Sequence, residues 1–194
     1  MENEQIKKVN ALYIFTYIFI PIAVSALCFI ISALFFPKGN MAVILIMGPV
    51  IISVIWWIFG GKILFKQKQK KMEEELEQSG FKRNQTFYAD GSTVVVDTEN
   101  GKIAIIFFWN PFQRYILSAN RITKVWVDDG KSGAGIIEGS SRVSFLFNID
   151  DLKIRVNTFT SNQRWRMDSE YILTGISKAD MMAEVIETAR SKAK

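Results

Sequence analysis

The chain has 194 residues, 49% hydrophobic and 22% charged, with 24 lysines and arginines against 19 aspartates and glutamates. It contains no histidine, which excludes imidazole catalysis, histidine metal ligation and a histidine pH switch, and its single cysteine, Cys28, excludes an internal disulfide. The averages conceal a division: between Asn10 and Lys62 the only charged side chain is Lys38, whereas every arginine lies beyond Lys62.

After a short N-terminal segment, 1–10, two uncharged runs follow at 11–36 and 41–61. A helix over the first would extend roughly 39 Å, enough for a ~30 Å hydrocarbon core with some tilt. Only Pro37, Lys38, Gly39 and Asn40 separate the runs, so 11–61 reads as an antiparallel helical hairpin in a membrane. Lys7 and Lys8 precede it and Lys62, Lys66, Lys68, Lys70 and Lys71 follow it, against Lys38 alone in the loop. The positive-inside bias therefore predicts a multi-pass cell-membrane protein with both termini cytoplasmic. Trp56 and Trp57 belong at the interface with those lysines. Neither span holds an ionisable residue, and Cys28 has no base nearby, which argues against a proton relay or a thiol nucleophile.

Residues 62–80 form a charged juxtamembrane helix, KQKQKKMEEELEQS at its centre, ending at Gly80. Beyond it, 81–194 changes period. Short β-branched and aromatic runs at 86–89, 93–97, 102–109, 114–118, 121–128, 142–149 and 152–158 predict an antiparallel β domain, with a late strand near Trp165. Asn110 and Pro111 read as a turn after 102–109. Around Asp150 and Asp151, strict alternation predicts a two-residue hairpin with Phe147 opposite Ile154 and Phe145 opposite Val156. Arg142, Lys153 and Arg155 then project from the other face. A terminal amphipathic helix is predicted from a start signal at Ser177 and Asp180, with Met182, Val185, Ile186 and Ala189 on one face.

The fold class is thus α+β: a two-helix transmembrane hairpin, then an antiparallel barrel or sandwich closed by a C-terminal helix. From about 86 to 192 the chain resembles the pleckstrin-homology-like domains of bacterial membrane proteins. The resemblance is carried by STVVVDTENGKIAIIF, by YILSANRITKVWVDDG and by the hydrophobic hairpin before the last helix. It implies a binding or scaffolding role rather than a defined chemistry, because such domains share no catalytic signature.

The acidic pairs Asp128–Asp129 and Asp150–Asp151 fall where strands turn, and the glycine-rich stretch 130–139 lacks Walker and dinucleotide spacing, so neither signals catalysis. No cofactor or metal is expected, and the chain reads as a non-enzyme. Two surfaces are binding candidates: the basic face of Arg142, Lys153 and Arg155, suited to anionic lipid headgroups or an acidic partner, and an aromatic edge at Phe108 and Phe112, suited to the bilayer or another chain. From Gly80 onward 16 basic residues face 13 acidic ones, too balanced for nucleic acid. The expected function is a membrane-bound adaptor, or a subunit of a membrane complex, that contacts the lipid bilayer and a protein partner or another copy of itself. The alternative is a small homo-oligomeric channel or transporter component built from hairpins.

Overall fold

The computed structural model describes residues 6–35, 40–131 and 139–193. The fold is α+β, with an apolar N-terminal helix and two antiparallel sheets. The expected loop at Lys38 and most of the glycine-rich stretch 130–139 lie outside the described residues. The chain divides into two compact units. One comprises Met1–Glu73 with Phe107–Gln113, and the other Glu74–Ile106 with Arg114–Lys194.

In the first unit, helix α1 (Ala11–Phe35) has a mean hydropathy of 2.6 and only 11% of its most apolar window is buried. By length and composition it can cross a membrane. Helix α2 (Asn40–Ile55) runs on through a π-helical turn, Trp56–Gly60, into helix α3 (Gly61–Gln78). The apolar part of this second rod, Val43–Phe59, is shorter. Asn10 caps α1, its Oδ1 accepting from the amides of Leu12 (3.0 Å) and Tyr13 (3.2 Å). Pro21, which lacks an amide hydrogen, follows a π-helical stretch at Phe15–Phe19, where the regular ladder is already interrupted. The rods run antiparallel: the Tyr17 hydroxyl donates to the Trp57 carbonyl (2.7 Å), and the Ser25 and Ser53 hydroxyls lie 3.0 Å apart. These hydroxyl contacts tie one rod to the other.

In the second unit, α3 ends at Gln78 and the chain turns through Gly80 at φ +80°, a conformation that glycine adopts without a Cβ penalty. Strands β1 (Gln85–Ala89), β2 (Ser92–Asp97), β3 (Lys102–Phe107) and β4 (Asn110–Ser118) form one sheet in that order. Strands β5 (Ile122–Asp128), β6 (Gly139–Ile149) and β7 (Leu152–Arg166) form the other. Neither sheet closes on itself, so a sealed barrel is not what the sequence builds. The β2 residues are all buried, because both faces are covered. Val95 and Ala104 pack with Leu76 of α3 and with Phe81. On the opposite face Phe87, paired with Val94, meets Phe145 of β6 edge-on at 6.2 Å. The turn between β1 and β2 is tied to β7, as the Asp90 amide donates to the Arg155 carbonyl (2.9 Å) and Asn157 Nδ2 donates to Asp90 Oδ1 (2.8 Å).

The β6–β7 hairpin has the expected register, Phe145 opposite Val156 and Phe147 opposite Ile154. Asp150 takes the turn at φ +50° and is held by Arg121. Two local expectations are corrected. The β3–β4 turn is Phe108–Trp109, and Asn110 and Pro111 open β4 instead of making the turn. Proline tolerates the first positions of a strand, where its missing amide breaks no ladder bond. The terminal helix α4 spans Glu170–Lys192 after its cap Ser169, eight residues ahead of the expected cap, so Ser177 lies inside it. Its buried face, Ile172, Gly175, Ala179, Ile186 and Ala189, covers the β5–β6–β7 sheet.

Candidate functional site

Within the first unit, the tip of the β3–β4 hairpin joins the chain leading into α1. Asn110 is 1% exposed, and its Nδ2 donates to the Lys7 carbonyl (2.9 Å), while the Asn10 amide donates to the Trp109 carbonyl (2.8 Å). Around these bonds the rings of Tyr13, Tyr17, Trp56, Trp109 and Phe112 form a chain of contacts: Tyr13 meets Phe112 edge-on at 5.6 Å, and Tyr17 meets Trp109 at 5.9 Å and Trp56 at 6.4 Å. Lys68 Nζ lies 5.4 Å from the centre of the Phe112 ring. An open apolar cavity of about 460 Å³ continues from this cluster between α1 and α2, lined by Tyr17, Pro21, Val24, Pro49, Ser53 and Trp56 among others.

Of the expected aromatic edge, Phe112 is half-exposed and Phe108 packs edge-on against Trp109 at 4.9 Å. The expected burial of Phe107 holds, whereas Trp109 is half-buried. Trp56 and Trp57 are exposed on their helix, as are Lys66, Lys70 and Lys71, and Lys68 is half-buried. The Lys62 side chain lies outside the described residues.

The basic face lies in the second unit and is more specific than its sequence suggests. Lys124, Asn148 and Lys153 stand in one cross-strand row, and Trp126, Leu146 and Arg155 in the next. Lys153 and Arg155 therefore sit together, whereas Arg142, opposite Thr160, lies two rows away from Arg155, about 13 Å along the strand. Arg155 approaches Asp128 at 3.8 Å. Lys124 and Lys153 extend over the same indole, their Nζ atoms 4.9 Å and 5.1 Å from the Trp126 ring centre. Leu146, expected on an outward face, is fully buried beneath these side chains.

Alternation along the sequence does not single out Lys124 and Trp126. A bulge between Ile122 and Lys124 reverses the phase of β5, sending Ile122 inward against Ile149 and its next neighbours outward. Only the cross-strand register exposes that grouping, since alternation along 121–128 keeps Ile122 on the lysine side.

Among the described residues no group of histidine, cysteine or carboxylate side chains could hold a metal. Asp97 is a carboxylate fully buried at the β2–β3 turn. It accepts from the amides of Lys82 (2.8 Å), Glu99 (3.1 Å) and Asn100 (2.9 Å), and from Asn100 Nδ2 (2.7 Å). Burial alone would raise its pKa, but these donors together hold it below the usual aspartate value. This is turn construction, with every oxygen engaged by the protein itself. Comparison with protein-family models, with curated proteins and with solved structures finds no match.

Proposed function

We propose that the chain is a membrane-anchored binding module: α1 and the apolar part of α2 form a hairpin in the bilayer, and the strands with α4 form a pleckstrin-homology-like domain on the cytoplasmic side. In this reading the domain acts as adaptor, or as subunit of a membrane complex, and no step of catalysis is assigned to it. The observation that carries the proposal is α1 itself. Leu12, Phe15, Phe19, Leu27, Phe29, Leu34 and Phe35 are each at least half exposed, an apolar surface that water would not tolerate and hydrocarbon would. The four-strand sheet, three-strand sheet and terminal helix supply the element order of the resembled domain. The lysines of α3 supply the positive flank that orients such hairpins.

Anchoring raises the local concentration of the domain at the membrane, so weak contacts through Lys153, Arg155 or Phe112 become sufficient to hold a partner. Expression with a reporter after Lys194, combined with alkaline extraction of membranes, tests the reading. The protein is expected to stay with the membrane and the reporter to be active only on the cytoplasmic side. Extraction into the soluble fraction, or an external reporter, overturns it. Crosslinking in native membranes then distinguishes a second protein from a ladder of self-linked copies, the second outcome favouring the oligomeric channel.

A further inference from the structure

We propose that the outer face of the β5–β6–β7 sheet is a binding site for a phosphate-bearing anion, held between Lys124 and Lys153 beside Trp126. The two lysines flank Asn148 in one row, and because both ammonium groups lie over one indole, they are no further apart than the sum of their two ring distances. Neither makes an ion pair among the described residues. Like charges gathered on one sheet face repel, and the ring offsets only part of that. A bridging anion removes the repulsion.

Of the carboxylates near this face two are already engaged, and neither they nor Asp151 pairs with Lys124 or Lys153 among the described residues. Asp128 is engaged by Arg155 and Asp150 by Arg121. Two polar atoms of the same two rows lack any partner: Arg155 Nε, a donor, and Asn148 Oδ1 are both buried without a hydrogen bond. Of the two, only Arg155 Nε is a donor that the oxygens of an anion can take up; Asn148 Oδ1 is an acceptor and offers an anion nothing. Two ammonium groups with a guanidinium in the next row suit a compact anion with several oxygens, and the indole gives an apolar wall for what carries it. The fairly even charge of the second unit excludes a long polyanion. The source is either a lipid headgroup or a soluble phosphate ester. The proposal deepens the binding-module reading and rests on it for the role of the face, but not on the membrane orientation.

The test uses the full chain. In maltoside micelles, inorganic phosphate and glycerol phosphate are titrated against Trp126 fluorescence, taken as the difference between the native chain and Trp126→Phe. In phosphatidylcholine nanodiscs, the same difference is read with and without phosphatidic acid. A saturable change with the soluble ions assigns a soluble ligand, and a change only with phosphatidic acid assigns a headgroup; either supports the site. Lys124→Gln with Lys153→Gln is expected to weaken binding at least about tenfold, the double Lys→Arg variant to retain it, and Arg142→Gln to leave it unchanged. No saturable change in either setting, or equal binding by the double Gln variant, overturns the proposal. The micelle titration does not depend on insertion or orientation, so failure of the anchored reading leaves its outcome readable.

Discussion

Asp97 shows how one side chain organises a turn. Its two oxygens accept four hydrogen bonds, so the ionised form is preferred in the folded state even though the residue is fully buried. A carboxyl whose pKa is lower folded than unfolded contributes stability that is present above the unfolded value, about 3.9, and lost as pH falls through the folded one. Chemical unfolding of the full chain is therefore expected to weaken below about pH 4, and Asp97→Asn to lower stability at neutral pH while flattening that acid limb. An acid limb of unchanged steepness in the variant would assign the pH dependence to other carboxylates. Lys124 and Lys153 give the converse case at this scale: two ammonium groups over one indole that make no ion pair among the described residues.

At the scale of elements, α4 is positioned by its least helix-favouring residue. A Cβ added at Gly175 would stand 2.8 Å from Phe159 Cβ and 3.3 Å from Val143 Cβ, so glycine there lets the helix approach β6 and β7 closely. Gly175→Val is expected to cost about 1–3 kcal/mol by overpacking, in addition to any change in helix propensity, measured as a shift in denaturation midpoint. An unchanged midpoint would show that the sheet yields without loss. The same glycine explains why the helix start was not legible: it reads as a breaker after Tyr171–Leu173, and only its packing reveals it as interior. The β6–β7 hairpin was legible because its alternation is unbroken on both sides of Asp150–Asp151. The β3–β4 turn was not, because Asn110 has turn chemistry in isolation and is instead buried, bonded to the Lys7 carbonyl a hundred residues earlier. The Lys124–Trp126–Lys153 group was hidden by the β5 bulge, which changes facing without leaving a signature residue.

At the scale of the whole chain, the four-stranded sheet depends on residues that composition assigns to the charged linker. Leu76 is 1% exposed and shares a cluster with Phe81, Val95 and Ala104. Glu75, one residue earlier, bonds Arg114 of β4 at 2.7 Å. The end of α3 thus contributes core to the β unit, which is why β2 and β3 can be apolar on both faces. Leu76→Ala in the full chain is expected to cost about 2–5 kcal/mol, the range for emptying a buried leucine site, whereas Glu77→Ala, exposed beside it, should change stability by less than about 0.5 kcal/mol. A pair of fragments separates packing from chain length. Residues 74–194 retain Leu76 and are expected to unfold cooperatively in urea, while 81–194 leave Val95 and Ala104 uncovered and should unfold at a lower midpoint or associate. Equal midpoints would mean that Phe81 alone seals the sheet and that α3 serves only as a connection; a difference makes the last turn of that helix part of the domain.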